Sequence, residues 1–146
     1  MENILNVKIL REGAVIPARA TEHSAGYDLA ACIDAPVTIP ARGRASVPAG
    51  VAVEIPAGFV GLVFGRSGLG VRHGIVPSNA VGVIDSDYRG EIVVGLTNQS
   101  VEDYAVAPGE RVAQLVLMPV YTPEIRVCEE LSATGRGSGG FGSTGR

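Results

Sequence analysis

The chain has 146 residues, of which 46% are hydrophobic and 18% charged, and this composition is typical of one soluble globular domain. The formal net charge of −3 gives the surface no bulk attraction for nucleic acid or an anionic membrane. The longest apolar stretches, residues 55–65 and 112–121, are shorter than the roughly 20 residues of a membrane-spanning helix. Because the N-terminus also lacks a basic segment followed by an apolar one, we expect a cytoplasmic protein that binds neither nucleic acid nor membrane.

Short apolar segments separated by turn residues recur along the chain, and helical periodicity is almost absent. Turn signals of proline, alanine and glycine at residues 48–50 and 56–58 flank one alternating segment. The only predicted helix is one or two turns long and follows Arg66. The predicted strands, in chain order, are 7–10, 27–33, 37–39, 51–55, 59–64, 74–76, 82–84, 91–96, 111–118 and 125–129. Many short strands of this kind predict an all-β sandwich or barrel.

The composition changes near the C-terminus. Glycine occupies six of the eleven positions 135–145, and Phe141 is the one large apolar side chain among them. Such a segment cannot bury enough surface to offset its ordering entropy, so it is expected to move freely until it meets a partner. The sequence therefore predicts a β-domain over residues 1–132 and a flexible arm over residues 133–146. A frayed tail is the plainer interpretation, but a frayed tail does not need Phe141.

Two segments place polar groups beside apolar strands. Asp28 lies in an otherwise apolar strand, where an unpaired carboxylate would be costly to bury, so its partner is either an arginine or a hydrated cation. Residues 65–70 (GRSGLG) follow another apolar strand with a glycine-rich turn that leads into the helix. Backbone N–H groups there, with the side chains of Arg66 and Ser67, suit a phosphate group. An ordinary surface turn could have the same composition.

Two further segments carry candidate chemistry. Residues 82–90 (GVIDSDYRG) form a polar hairpin between apolar strands, and a carboxylate at its mouth, Asp85, can orient and deprotonate a water molecule. Tyr88 can lay its ring against a sugar or a base. The plainer interpretation is a solvent-exposed turn. Gln114 interrupts another apolar strand, and it either points outward or donates to a ligand.

Taken in order, these segments resemble the five motifs of the trimeric deoxyuridine triphosphatase (dUTPase) family. The matching segments are 25–29 (AGYDL), 66–69 (RSGL), 82–91 (GVIDSDYRGE), 109–115 (GERVAQL) and 136–145 (RGSGGFGSTG). The resemblance implies a jelly-roll-like β-barrel and a homotrimer, with active sites at the chain interfaces and a swapped C-terminal arm. It also implies Mg²⁺-dependent hydrolysis of dUTP to dUMP and pyrophosphate, which supplies dUMP for dTTP synthesis and keeps uracil out of DNA.

The resemblance assigns roles residue by residue. Asp85 would activate the water that attacks the α-phosphorus, and Tyr88 would stack under the deoxyribose and exclude a 2′-hydroxyl. Asp28 would hold Mg²⁺ through water. The uracil edge would be read around Asn79, Val83 and Ile84, and the α- and β-phosphates would be held by Arg66, Ser67, Gly68 and Gln114. In the arm, Phe141 would close over the uracil beside Gly142, and the γ-phosphate would be held by Arg136, Ser143 and Thr144.

Two other functions are compatible with such a fold. One is a dCTP deaminase-like enzyme, but its deaminating glutamate motif is missing here. The other is a trimeric nucleotide-binding module without catalysis, in which the loss of Asp85 or of the arm would be expected, and neither is lost. The departures from the family motifs are small. Gly65 stands where proline is common, and Ala80 stands where serine or glycine is frequent.

Overall fold

The structure is a computed structural model that describes residues 4–142, and within that range the regular structure consists of β-strands and one short helix. The single helix, α1 (Ser67–His73), has seven residues, and no helix in the described range is long and apolar enough to cross a membrane. The strands are β1 (Asn6–Ile9), β2 (Tyr27–Ala30), β3 (Val37–Ile39), β4 (Arg44–Pro48), β5 (Val51–Glu54), β6 (Phe59–Phe64), β7 (Ile75–Pro77), β8 (Gly82–Ile84), β9 (Val93–Asn98), β10 (Tyr104–Val106) and β11 (Arg111–Pro119). The all-β prediction is confirmed.

The strands form antiparallel sheets around one apolar core. A four-stranded sheet has the order β2-β11-β6-β8, and a three-stranded sheet has the order β4-β9-β7. Two further pairs, β1 with β5 and β10 with β3, complete the arrangement. The largest fully buried apolar side chains, each less than 2% exposed, are Leu29, Ile39, Ile75, Leu96, Leu115, Val47, Val51, Val106 and Val112. They come from most of the strands, so burial of this core holds the sheets together.

The four-stranded sheet has two chemically different faces. Its inner face carries buried side chains such as Val63, Ile84 and Leu115. On its outer face, Gln114 of β11 pairs with Asp28 of β2 on one side and with Phe64 of β6 on the other. Paired residues of antiparallel strands project to the same side, and successive residues alternate, so Asp28 and Gln114 leave the sheet on the side opposite to Val63 and Ile84.

A β-bulge in β11 adjusts this alternation. Arg111 pairs with Ala30 and Ala113 with Leu29, so one extra residue, Val112, is inserted on the β11 side. Val112 and Ala113 are consecutive and are both buried, as a bulge permits. Without the extra residue, positions 111 and 114 would point to opposite faces. With it, both side chains reach the outer face, where Asp28 lies.

The strand predictions for residues 37–39, 59–64 and 82–84 are confirmed with unchanged bounds, and so is the helical segment after Arg66. The strand predicted at residues 125–129 is wrong. That segment has no regular structure, and its apolar side chains Ile125 and Val127 are 93% and 94% exposed. An apolar sequence becomes a strand only when another backbone is available for pairing, and no described strand pairs with this segment.

Two strands were missed by the sequence prediction. β4 mixes Arg44 and Ser46 with apolar residues, and its burial alternates only weakly. β10 has just three residues, which is too short to give a periodic pattern. Both strands are defined by their partners in the sheets, β9 for β4 and β3 for β10, and those contacts are not visible in the local sequence.

One buried amide fixes the loop that follows β9. Asn98 is completely buried, and its amide nitrogen donates to the backbone carbonyls of Ile39 at 3.1 Å and Glu102 at 2.7 Å. Its side-chain oxygen accepts hydrogen bonds from the backbone N–H and the hydroxyl of Ser100 at 2.9 and 2.7 Å. Every hydrogen-bonding group of this side chain is therefore used, and the loop is tied to β3.

The substitution Asn98→Ala is expected to lower the free energy of unfolding by about 2–4 kcal/mol, because it leaves buried backbone groups without partners. Urea unfolding curves, monitored by circular dichroism, measure this loss of stability. Gln99→Ala is the matched control, since the neighbouring side chain is exposed and its removal should change stability by less than about 0.5 kcal/mol. Equal stability of the two variants would contradict the role given to Asn98.

Candidate active site

The segment predicted as a hairpin, residues 82–90, borders a cavity of about 240 Å³. This hairpin is a turn at residues 86–87 and not a pair of strands, because β8 pairs with β6, and β9 pairs with β4 and β7. The floor of the cavity is apolar and includes the inner-face residues Val63 and Ile84. Polar groups surround the entrance, and the residues that the sequence analysis assigned to base, sugar and water all line this one cavity: Asn79, Val83, Ile84, Asp85 and Tyr88. A small apolar cavity with a few polar groups at its rim suits one planar ring and an attached sugar.

The turn that leads into β8 has a constrained backbone. The N–H of Val81 donates to the carbonyl of Asn79 at 2.7 Å, and the N–H of Ala80 donates to the carbonyl of Pro77 at 3.1 Å. Ala80 has a φ of 63°, in the left-handed region that favours glycine. Ala80 is thus accommodated at some cost in backbone energy where glycine would be unstrained.

The tip of the hairpin is held by hydrogen bonds to its own backbone. The N–H of Tyr88 donates to the carbonyl of Asp85 at 3.1 Å. The guanidinium of Arg89 donates to the carbonyls of Ser86 at 2.7 Å and Tyr88 at 3.0 Å, and it also pairs with Glu54 at 3.2 Å. The Asp85 carboxylate remains exposed at the cavity rim, where it can accept a hydrogen bond from a water molecule.

Tyr88 lies against the backbone at the base of the hairpin. Its hydroxyl donates to the carbonyl of Glu91 at 3.0 Å. A Cβ atom at Gly90 would come within 2.3 Å of that hydroxyl oxygen and 2.5 Å of the ring carbon that bears it, so only glycine allows this approach. The ring is 46% exposed and lines the cavity, so one face of Tyr88 is available to a ligand.

The Glu91 side chain connects this hairpin to the N-terminal segment. Arg11 donates to the two Glu91 carboxylate oxygens at 2.6 and 2.8 Å, and the N–H of Gly50 donates to one of them at 3.1 Å. Hydrogen bonding to Arg11 is the main reason that the pKa of Glu91 is lowered from its usual value. The pair is bidentate, which fixes the geometry of both side chains.

A second group of side chains surrounds Asp28 on the outer face of the sheet. Arg66 Nε donates to one carboxylate oxygen at 2.9 Å, and Arg111 Nη1 donates to the other at 3.0 Å. Arginine, one of the two partners that the sequence left open, contacts Asp28 directly. Asp28 is 16% exposed and the two arginines are 27% and 54% exposed, so the cluster is open to solvent on the arginine side. Its formal charges sum to +1, which favours an anion.

Gln114 lies next to this cluster. Its amide nitrogen donates to the carbonyl of Gly65 at 2.9 Å, which connects β11 to the segment before α1. A Cβ at Gly26 would come within 2.4 Å of the Gln114 side-chain oxygen, so Gly26 makes room for this side chain. Ser67 and Gly68 begin α1 and are exposed. The predicted phosphate residues are thus neighbours in the chain fold, and Gln114 does not simply point into solvent.

The predicted site residues fall into separate groups within one chain. The cavity lies against inner-face residues, whereas Asp28 and Gln114 project from the outer face, and neither they nor Arg66 line the cavity. In the arm, Arg136 Nε donates to the carbonyl of Gly139 at 2.8 Å, and Phe141 is fully exposed. Gly142 has a φ of 88°. Ser143 and Thr144 lie outside the described residues.

Some residues of the site were missed from the sequence. Arg111 lies inside the segment 109–115, but only the bulge at Val112 turns it toward Asp28. Its charge within an otherwise apolar strand was the available signal. Arg11 and Glu91 are 80 positions apart, and nothing in either local sequence indicates that they pair.

The Asp28 cluster is compatible with a hydrated magnesium ion. In residues 4–142 no group of three or more His, Cys, Asp or Glu side chains could hold a metal ion, so most ligands of such an ion must be water or substrate oxygens. A carboxylate has about four lone-pair positions. The two arginines occupy one on each oxygen of Asp28, which leaves positions that can accept hydrogen bonds from metal-bound water.

Fold and site together define a small all-β protein with a ring-sized cavity and a separate cationic cluster. The sequence profile of the dUTPase family matches residues 12–145. The deoxyuridine 5′-triphosphate nucleotidohydrolase of Psychrobacter cryohalolentis is 50% identical over 146 residues, which cover 98% of this chain and 95% of that protein. The enzyme of the same name from Oryza sativa subsp. japonica is 49% identical over 142 residues, covering 97% of this chain and 81% of that protein. The chain therefore belongs to the dUTPase family.

Solved structures agree with this assignment. The dUTPase of Staphylococcus bacteriophage 80alpha, determined with dUPNHPP, is 32% identical with a TM-score of 0.91, and 99% of each chain is covered. A mutant dUTPase from phage phi11 of S. aureus, described as coordinating a structural Mg(II) ion, is 30% identical with a TM-score of 0.79. That comparison covers 88% of this chain and 98% of the phage protein. The fold is thus shared over nearly the whole length.

Proposed function

We propose that this protein hydrolyses dUTP to dUMP and pyrophosphate. The observation that carries the proposal is the cavity around β8, which has Asp85 and Tyr88 on its rim and a floor of buried aliphatic side chains. Uracil would occupy the cavity, where the backbone of β8 offers hydrogen-bonding groups to the edge of the base. The two relatives described above are named as enzymes that act on deoxyuridine triphosphate, and their near full-length similarity supports the same substrate here.

Asp85 is proposed to position and activate the attacking water. Its exposed carboxylate can accept a proton from a water molecule as that water attacks the α-phosphorus. The bond between the α-phosphorus and the bridging oxygen to the β-phosphate then breaks, so pyrophosphate leaves and dUMP remains. Tyr88 is proposed to lie under the deoxyribose, close enough that a 2′-hydroxyl would clash with its ring.

The Asp28 cluster is proposed to bind the phosphates. A guanidinium has five N–H donors, and Arg66 uses two of them, one to Asp28 and one to the carbonyl of Arg111 at 3.4 Å. The remaining donors of Arg66 and Arg111 can bind α- and β-phosphate oxygens, together with Ser67, Gly68 and Gln114. These groups are already oriented before the substrate arrives, which is the condition under which electrostatic stabilisation is most effective.

Mg²⁺ is the proposed cofactor, because its charge offsets the negative charge that the triphosphate carries and develops during cleavage. Asp28 would bind water molecules of the hydrated ion, and Arg66 and Arg111 would keep its carboxylate in position. A magnesium site formed by protein side chains alone would need a cluster of carboxylates, and residues 4–142 contain no such cluster. The nucleotide and Mg²⁺ are therefore expected to bind together.

The complete active site is proposed to form in a homotrimer. Within one chain, Asp28, Arg66 and Gln114 do not line the cavity, so a single nucleotide is expected to take the cavity and the Asp28 cluster from different chains. The outer face of the four-stranded sheet also has the partly exposed apolar side chain of Met118, at 46%, which contact with another chain would cover. The arm, residues 133–146, is proposed to close over a neighbouring site through Arg136, Phe141, Gly142, Ser143 and Thr144.

A nucleotide panel tests the proposal directly. Purified protein with Mg²⁺ is incubated with dUTP, dTTP, dCTP and UTP, and the release of pyrophosphate and of ammonia is measured. We expect rapid pyrophosphate release from dUTP and much slower release from the other three. Ammonia from dCTP would identify a deaminase, and tight dUTP binding without any product would identify a non-catalytic binding module. Either result would contradict the proposed hydrolysis.

Asp85→Asn is expected to lower kcat by about 10²- to 10⁴-fold, because the amide cannot accept the proton of the attacking water. The Kd for dUTP should stay nearly unchanged, since the side chain has almost the same shape. Pyrophosphate release and calorimetric binding measure the two quantities. Asp87→Asn is the matched control, an exposed carboxylate two positions along the same hairpin, and it should retain near-normal turnover. Normal kcat in Asp85→Asn would refute the assigned role.

A further inference from the structure

An ion pair behind the nucleotide cavity has no role in the function proposed so far. Arg11 donates from Nε and Nη2 to the two carboxylate oxygens of Glu91, at 2.6 and 2.8 Å, across 80 positions of sequence. The arginine side chain is 52% exposed and the glutamate side chain 19% exposed. Glu91 follows the hairpin that carries Asp85 and Tyr88, so the pair joins the N-terminal segment to the base of that hairpin.

We propose that Arg11 is a positioning residue for sugar selection, and that it acts through Glu91 on the ring of Tyr88. This inference rests on the proposed function, in which Tyr88 excludes a 2′-hydroxyl. Arg11 itself does not line the cavity, whereas Glu91 and Tyr88 both do. Its effect on a nucleotide must therefore pass through the residues it holds.

The Glu91 side chain and the backbone that follows it are held by residues 49–51, where β4 turns into β5. The N–H of Gly50 donates to the Glu91 carboxylate at 3.1 Å. One residue later, the N–H of Ile92 donates to the carbonyl of Val51 at 2.9 Å, and the N–H of Ala49 donates to the carbonyl of Ile92 at 2.9 Å. Arg11 adds two further bonds to the side chain of Glu91, so this side chain has little freedom to move.

The position of the Glu91 carbonyl determines where Tyr88 can lie. The Tyr88 hydroxyl donates to that carbonyl at 3.0 Å, and Gly90 leaves the ring in direct contact with the backbone. A ring that is hydrogen-bonded through its hydroxyl and packed against the backbone at the same end has little freedom to retreat from the sugar. If Glu91 shifts, the ring can follow it, and space opens for one additional oxygen atom on the sugar. Discrimination against UTP is therefore expected to depend on Arg11.

The test compares kcat/KM for dUTP with kcat/KM for UTP in Arg11→Ala. We expect the ratio of the two to fall by about two- to fivefold, the effect of losing one partly exposed ion pair. A purely structural role would lower both values by the same factor and leave the ratio unchanged. Arg11→Lys should restore part of the discrimination, because it keeps the charge but cannot form the bidentate pair.

A double-mutant cycle with Tyr88→Phe identifies the route of the effect. In that background the hydroxyl bond to Glu91 is already absent, so Arg11→Ala should change the dUTP-to-UTP ratio no further. An undiminished effect of Arg11→Ala in the Phe background would overturn the proposed route. The control is Arg19→Ala, which removes an arginine whose hydrogen bond goes only to the nearby carbonyl of Glu22. It should leave the ratio at the wild-type value.

A readout without turnover separates this inference from the proposed function. With ¹³C-labelled tyrosine, the ring resonances of Tyr88, assigned by their loss in Tyr88→Phe, should shift or broaden in Arg11→Ala and stay unchanged in Arg19→Ala. If the wild type hydrolyses neither nucleotide, the proposed function fails, and the ring resonances still report whether Arg11 holds Tyr88. Unaltered Tyr88 resonances in Arg11→Ala would refute the positioning role by themselves.

Discussion

The arrangement of the site depends on one carboxylate that lies between two arginines. Asp28 accepts hydrogen bonds from Arg66 and Arg111, and this joins β2, β11 and the start of α1 at one point. Without Asp28 the two guanidinium groups would repel each other and move toward solvent. The bulge at Val112 makes the cluster possible, because it brings Arg111 to the same face as Gln114. A chain with a formal net charge of −3 thereby gains a local, fixed cationic surface.

The four-stranded sheet divides the chemistry between its two faces. The floor of the cavity includes the inner-face residues Val63 and Ile84, and the cationic cluster around Asp28 projects from the outer face. This division suits a ligand with one neutral ring and one charged tail, because each part finds a surface of matching polarity. It also supports the proposed association of chains, since the side chains of the cluster do not line the cavity of the same chain. The apolar side chain of Met118, left exposed on the outer face, is consistent with that association.

Much of the fold and of the candidate site could be predicted from the sequence, because these parts depend on local patterns. Turn residues between short apolar segments indicated the all-β fold, and motif order indicated the residues of the cavity and the cluster. What could not be predicted depends on contacts between distant segments. The partner of Asp28 was left open between an arginine and a cation, and Arg111 is 83 positions away along the chain. The segment 125–129 has the composition of a strand, but within the described residues no other strand pairs with it.

The most direct test is a complementation experiment with two inactive variants. Asp85→Asn damages the cavity side and Arg66→Ala damages the phosphate side, so every chain in a mixture carries one lesion. Equal amounts of the two variants are refolded together. If each site joins two chains, about a quarter of the sites should combine an intact cavity with an intact phosphate cluster, because each of the two chains is the required variant in half of the cases. The mixture should then recover about a quarter of the wild-type dUTP turnover. Each variant alone should stay inactive. If mixed trimers form, as verified by mass spectrometry, and recover no activity, each site lies within a single chain and the account is wrong.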